Sequence, residues 1–130
     1  MLRSLILLPC VCVGSVLTAG CGSADRQASD VQVDIALDPS PPVVGDAQVT
    51  LRLTGADGKR LDGAEVRLEG NMNHAGMKPS FANLRETEPG RYAGTLEFTM
   101  GGDWFILVTA TLPDGRRIEH KTDVPGVDAS

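Results

Sequence analysis

Residues 71–77, with the sequence NMNHAGM, contain the side chains of this chain that are best suited to binding a metal ion. Beyond its first residue the chain has three methionines and two histidines, and three of those five are Met72, His74 and Met77. Cu(I) is a soft ion that accepts two or three ligands drawn from thioether and imidazole groups. On a strand, Met72 and His74 would point the same way, and Gly76 would let the chain fold back to bring in Met77. The spacing therefore predicts a Cu(I) site.

The same residue types also suit the interior of a β-sheet protein. Methionine fills irregular gaps in a core well, and both Met72 and Met100 have the parity of core-facing positions. Trp104 resembles the packed tryptophan of immunoglobulin-type sandwiches. Met100 is the next ligand candidate, and His120 is a further one from a neighbouring strand, although each is also explained as a structural residue. Residue types alone leave metal binding and core packing both open.

No group of residues indicates catalysis. A nucleophile needs a base within reach, and Ser80, six residues after His74, has no evident acid partner or oxyanion-stabilising group. Glu86 and Glu88 are expected in a polar loop and are most simply solvated charges. We therefore expect a protein that is not an enzyme.

Residues 1–20 have the features of a bacterial targeting segment. Arg3 precedes an apolar stretch that is too short to span a bilayer comfortably, and the stretch ends in Leu-Thr-Ala-Gly before Cys21. Small residues before a cysteine resemble the lipobox of lipoproteins, which implies cleavage before Cys21 and lipidation of that residue. An ordinary secretory signal with another cleavage site is the alternative. Residues 21–30 are small and polar and predict a flexible tether.

Cleavage before Cys21 would determine which cysteines remain in the protein and what its net charge is. Cys10 and Cys12 would leave with the signal and Cys21 would carry lipid, so a metal site would have to use His, Met or carboxylate. Loss of Arg3 turns 12 basic side chains into 11 against 17 acidic ones, a net charge of −6. An acidic protein is poorly suited to nucleic acid. We expect an extracytoplasmic protein held to the membrane by lipid, and Gly22 after the cysteine favours the outer membrane where the host has two.

Apolar residues alternate with polar ones along most of the remaining chain, as in half-buried strands. No window combines helical periodicity with capping residues. We therefore predict an all-β fold, an immunoglobulin-like antiparallel β-sandwich of about seven strands over residues 31–125, with a tail at 126–130. The predicted strands cover residues 31–38, 48–53, 64–69, 80–84, 91–98, 104–110 and 116–124.

The strand pattern also predicts the surroundings of the metal site. The strand that begins near residue 64 places Met72 and His74 toward the interior if it continues past Gly70. The site is then expected at the end of the sheets, where Gly70 and Gly76 open it to solvent. The strand at 104–110 is apolar on both parities, which predicts cover on both faces. The large core residues are expected to be Trp104, Phe98, Phe105, Phe81 and Tyr92.

Residues 70–110 resemble a known family. The shared features are the Met72-x-His74-x-x-Met77 segment, a Pro-Gly-Arg-Tyr sequence at the start of a strand, and the Met100-x-x-x-Trp104 spacing. Together they are similar to the FixH/YtkA-like family of small bacterial extracytoplasmic domains, over about 90 residues ending near Val124. The resemblance implies an immunoglobulin-like sandwich and an association with copper handling, cytochrome oxidase or metal efflux. This chain departs from the oxidase-associated members, which have a membrane-spanning helix.

The expected function is that of a membrane-anchored metal-handling protein. Met72, His74, Met77 and Met100 are the ligand candidates for Cu(I), and a metal-efflux or cytochrome oxidase assembly complex is the expected partner. In the alternative, the sandwich is an interaction module that binds a membrane protein through a sheet face or edge, and the Met/His segment only packs.

Overall fold

The structure, a computed structural model, describes residues 30–129, and these form strands and connecting loops. The predicted signal segment and most of the predicted tether lie outside the described residues. Within residues 30–129, no helix is long and apolar enough to cross a membrane. The strands are β1 (Gln32–Asp38), β2 (Gly45–Thr54), β3 (Glu65–Asn71), β4 (Ser80–Glu88), β5 (Arg91–Phe98), β6 (Gly102–Thr111) and β7 (Arg117–Val127).

The seven strands follow the order β1-β2-β5-β4-β3-β6-β7, and each neighbouring pair is antiparallel. β4 belongs to both layers of the sandwich. Its first half pairs with β3 as far as Leu84, and its second half pairs with β5 from Arg85 onward. This change of partner explains why β4 runs to Glu88, four residues beyond its predicted end. The predicted all-β immunoglobulin-like sandwich is confirmed.

The core lies between the two layers. Most of its residues are apolar ones at alternate positions along the strands. Alternate residues of each strand point inward, so the apolar parity of β2, β5 and β6 is fully buried. Tyr92, Phe98 and Trp104 are its largest members, as predicted. Their neighbours in the core are Ala47, Val49, Leu51, Leu53, Val66, Leu68, Ala82, Leu84, Leu96, Ile106, Val108, Ala110, Leu112, Ile118, Val124 and Val127.

Two of the predicted aromatic core residues lie elsewhere. Ala82 takes the inward position on β4, so Phe81 falls on the outer face and is 54% exposed. On β6 the second apolar parity also faces outward, and Phe105 is only half-buried beneath Lys121, whose Nζ lies 4.7 Å from the ring centre. The prediction that β6 is covered on both faces is therefore wrong, because no third layer covers it in residues 30–129. Long charged side chains shield that face instead.

The folded domain continues past residue 125, where the sequence predicted a tail. β7 includes Val127, which is buried in the core. Asp128 then pairs with the loop after β1: its carbonyl accepts a hydrogen bond from the Val44 amide (2.8 Å), and its own amide donates to the Pro42 carbonyl (3.0 Å). These bonds join the loop between β1 and β2 to the residue that follows β7.

The two ends of the sandwich carry different loops. β3 and β5 end where β4 and β6 begin, so loops 72–79 and 99–101 lie together at one end, which we call the methionine end. β1 begins at the opposite end, beside loops 55–64 and 89–90. The described part of the chain therefore begins, at Asp30, at the end that is distant from the methionines.

Tyr92 fixes the loop between β2 and β3 at that opposite end. Its ring is buried, and its hydroxyl donates to the Leu61 carbonyl (2.8 Å) and accepts from the Ala64 amide (3.0 Å). Burial raises the pKa of Tyr92 to about 12, with smaller contributions from the nearby Glu86 carboxylate. Glu86 itself accepts a hydrogen bond from the Gly63 amide (2.9 Å), which lowers the pKa of that carboxyl group.

Candidate metal-binding end

Met72 lies just after β3 and packs inward. The register of β3 is unbroken through Gly70, which pairs with both Ser80 and Ile106, so Gly70 forms no bulge. Gly70 is buried beside the Trp104 ring, and it does not open the site to solvent as predicted. Met72 keeps the inward parity and packs partly buried against the core, with its Cε against Gly102. This methionine therefore has a packing role in the structure.

His74 does not point into the sandwich. β3 ends at Asn71, and a turn follows in which the Met77 amide approaches the His74 carbonyl at 3.5 Å. Gly76 adopts a φ of +80°, which residues with a Cβ rarely adopt, and this closes the turn. The imidazole is exposed, and its Nδ1 lies 3.1 Å from the Ala75 carbonyl oxygen. The predicted inward orientation of His74 is wrong because the strand stops three residues before it.

Met77 and Met100 both line one open groove of about 480 Å³. Met77 is partly buried against the core, whereas Met100 is 43% exposed. The predicted core-facing position of Met100 is therefore wrong, since β5 ends at Phe98 and the parity does not continue through the turn. The groove also takes in Phe81 and the charged side chains of Lys78 and Glu97.

Trp104 holds the turn that carries Met100. Its indole Nε1 donates a hydrogen bond to the Met100 carbonyl (2.9 Å), and its ring meets Phe98 edge to face at 5.2 Å between centroids. Trp104 is 2% exposed, so it is a core residue, in agreement with the structural interpretation of the sequence. Its polar atom nevertheless fixes the backbone from which the Met100 thioether extends.

Phe81 is the groove residue that the sequence interpretation missed, since it was assigned to the core. Its ring lies at the start of β4, and the Arg67 guanidinium is 5.0 Å from the ring centre on the outer face. The signal was present in the sequence: Ala82 and Leu84 share the parity opposite to that of Phe81. His120, by contrast, lies in the middle of β7 opposite Val108 and lines a different depression.

The sulfur donors of the groove are soft. Residues 30–129 contain no group of three histidine, cysteine, aspartate or glutamate side chains arranged to hold a metal ion. The sulfur ligands that the groove does gather are two thioethers, from Met77 and Met100. Thioethers favour Cu(I) over hard ions such as Mg²⁺ or Ca²⁺. The predicted lipidation residue, Cys21, lies outside the described residues.

The fold and this groove define a class: a small all-β immunoglobulin-like sandwich with a methionine-lined groove at one end. The YtkA-like family matches residues 25–109, about two thirds of the chain, and the chain belongs to that family. This confirms the resemblance inferred from the Met/His segment and the Met100-x-x-x-Trp104 spacing. The family match includes β1 to β5 and most of β6.

Other comparisons add little about activity. No curated protein matches the chain. Among solved structures, the crystal structure of MtrC from Shewanella baltica OS185 aligns with 76% of this chain and 22% of its own, at 14% identity and a TM-score of 0.42. The chain thus spans about a fifth of that protein's length.

Proposed function

We propose that this protein is an extracytoplasmic Cu(I)-handling carrier or accessory protein, anchored to the membrane by lipid on Cys21. The observation that carries the proposal is that Met77, which is partly buried, and Met100, which is exposed, line one groove at the end of the sandwich. Two thioethers form a ligand pair that suits Cu(I) and few other biological metal ions. The expected partners are a metal-efflux system or a cytochrome oxidase assembly complex, and no enzymatic activity is proposed.

The groove suits a carrier because its ligands are accessible. Met100 extends from a short turn held by the Trp104 hydrogen bond, while Met77 leaves a turn closed by Gly76. His74 lies three residues before Met77 on that exposed turn and is the third ligand candidate. An open two- or three-ligand site would allow Cu(I) to pass to a partner by ligand exchange. Met72, packed against Gly102, supports the loop rather than the ion.

A competition titration with a chromophoric Cu(I) chelator tests the proposal. The full chain is used with Cys10, Cys12 and Cys21 replaced by serine, because thiolates would otherwise take the ion. Met77→Leu and Met100→Leu preserve side-chain volume and should leave the fold within about 1.5 kcal/mol of the parent. Each should weaken Cu(I) binding at least tenfold, while Met72→Leu serves as the matched control and should change it little. Equal affinity of the parent and the Met77→Leu/Met100→Leu double variant would refute the proposal.

The interaction-module alternative has one specific observation in its favour. Phe81 and Met100 are two of the three large hydrophobic side chains that are well exposed in residues 30–129, and both line this groove. A partner that docks there would bury an aromatic ring, which is typical of interface hot spots. Leucine at positions 77 and 100 would preserve such docking, whereas Phe81→Ser would weaken it. Co-purification of a defined membrane complex with each variant separates the two functions.

A further inference from the structure

A further depression lies at the opposite end of the sandwich and is lined by three arginines. Arg52 comes from β2, Arg91 from β5, and Arg60 from the loop between β2 and β3. The depression has a volume of about 200 Å³, several times the ~30 Å³ that one water molecule occupies in the liquid. A small tetrahedral oxyanion therefore fits within it. We call this depression the arginine cleft.

The charges around the arginine cleft are not balanced. Arg52 and Arg91 are direct cross-strand partners, an arrangement of like charges that destabilises a sheet unless something compensates. Asp34 and Glu88 also line the cleft, which leaves one net positive charge among these five side chains. The chain as a whole has a net charge of −5, so a local excess of arginine runs against its composition.

The guanidinium groups are largely unpaired. Of the ion pairs within 4 Å in residues 30–129, none involves Arg52 or Arg60. Arg91 meets Glu88 only at 3.9 Å. Although Asp34 lies opposite Arg52 across β1 and β2, its carboxylate accepts hydrogen bonds from Gln32 instead, at 3.3 Å. Three forks of N–H donors are therefore available to a ligand.

We propose that the arginine cleft binds a phosphate group. A guanidinium offers paired N–H donors that match phosphate oxygens. Three arginines line one cleft from two strands and a loop, so their N–H donors can approach a tetrahedral anion from several sides, whereas a planar carboxylate would engage one fork. The phosphate can belong to a free anion or to a phospholipid headgroup. The second source suits the position of the cleft, because β1 begins beside it: Gln32 pairs with Thr54, which lines the cleft. This reasoning rests on the proposed function, in which the lipid on Cys21, shortly before β1 in the chain, holds this end of the sandwich near the membrane.

Two probes applied to the full-length protein distinguish these sources. Inorganic phosphate is titrated while the side-chain Nε–H resonances of the arginines are followed by NMR. Separately, binding is measured to vesicles of phosphatidylcholine with and without phosphatidylglycerol. The difference between the two vesicle types is the readout, since hydrophobic attachment through the N-terminal region contributes equally to both.

The variants are Arg52→Gln and Arg60→Gln, and the matched control is Arg67→Gln on the outer face of the other layer. Each cleft variant should weaken binding by about tenfold to a hundredfold, as expected for loss of one charge-assisted hydrogen bond. The control should change it less than about twofold, because an exposed charge remote from the site contributes little. Binding in the first arm assigns a free phosphate, and binding in the vesicle arm assigns a headgroup. Binding in neither arm, or equal binding by the cleft variants and the parent, overturns the proposal.

Discussion

Removal of the Tyr92 hydroxyl should destabilise the sandwich by an amount that can be worked out from its two hydrogen bonds. In Tyr92→Phe the ring still fills the core, but the Leu61 carbonyl and the Ala64 amide lose their partner. An unsatisfied group of this kind costs about 1–3 kcal/mol, and partial burial places these two near the lower end. The expected loss is about 2–3 kcal/mol, which for a domain of this size lowers Tm by about 10–20 °C.

The pH dependence of that difference provides a second measurement. The pKa of Tyr92 is raised to about 12 in the fold, against 10 for the free side chain. The neutral hydroxyl therefore contributes stability that is fully present below pH 10 and is lost as the pH rises toward 12. The stability difference between the parent and Tyr92→Phe should shrink over this window.

The assay combines denaturant unfolding at several alkaline pH values with ultraviolet absorbance of the phenolate. The chain has a single tyrosine, so the absorbance reports Tyr92 alone and Tyr92→Phe provides the blank. Phenolate formation in the folded protein near pH 10 would contradict the reasoning, as would a Tyr92→Phe variant whose Tm falls by less than about 3 °C.

Four other changes test the methionine end and the loops by thermal or denaturant unfolding. Gly102→Ala should cost about 1–3 kcal/mol, since Gly102 has a φ of +127° and a Cβ there would lie 2.8 Å from the Met72 Cε. Gly70→Ala should cost less than about 0.5 kcal/mol, because its Cβ would meet no atom closer than 3.4 Å; a large loss would contradict the packing described. Trp104→Phe should cost about 1–3 kcal/mol by removing the donor to the Met100 carbonyl. Gly90→Ala should be the most damaging, because its Cβ would lie 2.7 Å from Arg60 and its φ is +77°.

Much of the fold could be predicted from sequence because alternation reports directly which side of a strand is buried. The predicted alternation agrees with the burial of alternate residues in β2 and β5, and the family resemblance came from the spacing of the Met/His segment and Trp104. The predicted side-chain orientations were wrong beyond the ends of β3 and β5. His74 and Met100 were placed inward by extending a strand parity through turns that rotate the side chain out.

Other errors came from relations between strands, which alternation does not contain. Phe81 and Phe105 are apolar enough for a core, yet their strands present other residues inward and each ring lies under a cation instead. The change of partner by β4 between its two halves likewise depends on how the two layers close, and it has no signature in the alternation of residues 80–88.

The sequence by itself determined the strand pattern, the core face of most strands and the candidates for soft ligands, because these depend on residue type and local period. Only the tertiary structure decided which ligand candidates share a surface. Met77 and Met100 are 23 residues apart in the chain, and they line one groove because β3, β4, β5 and β6 place their loops at the same end. The arrangement of these strands also places Met72 against Gly102, whereas His74 lies on the exposed turn. The arginine cleft likewise depends on cross-strand register, since Arg52 and Arg91 become neighbours only when β2 pairs with β5.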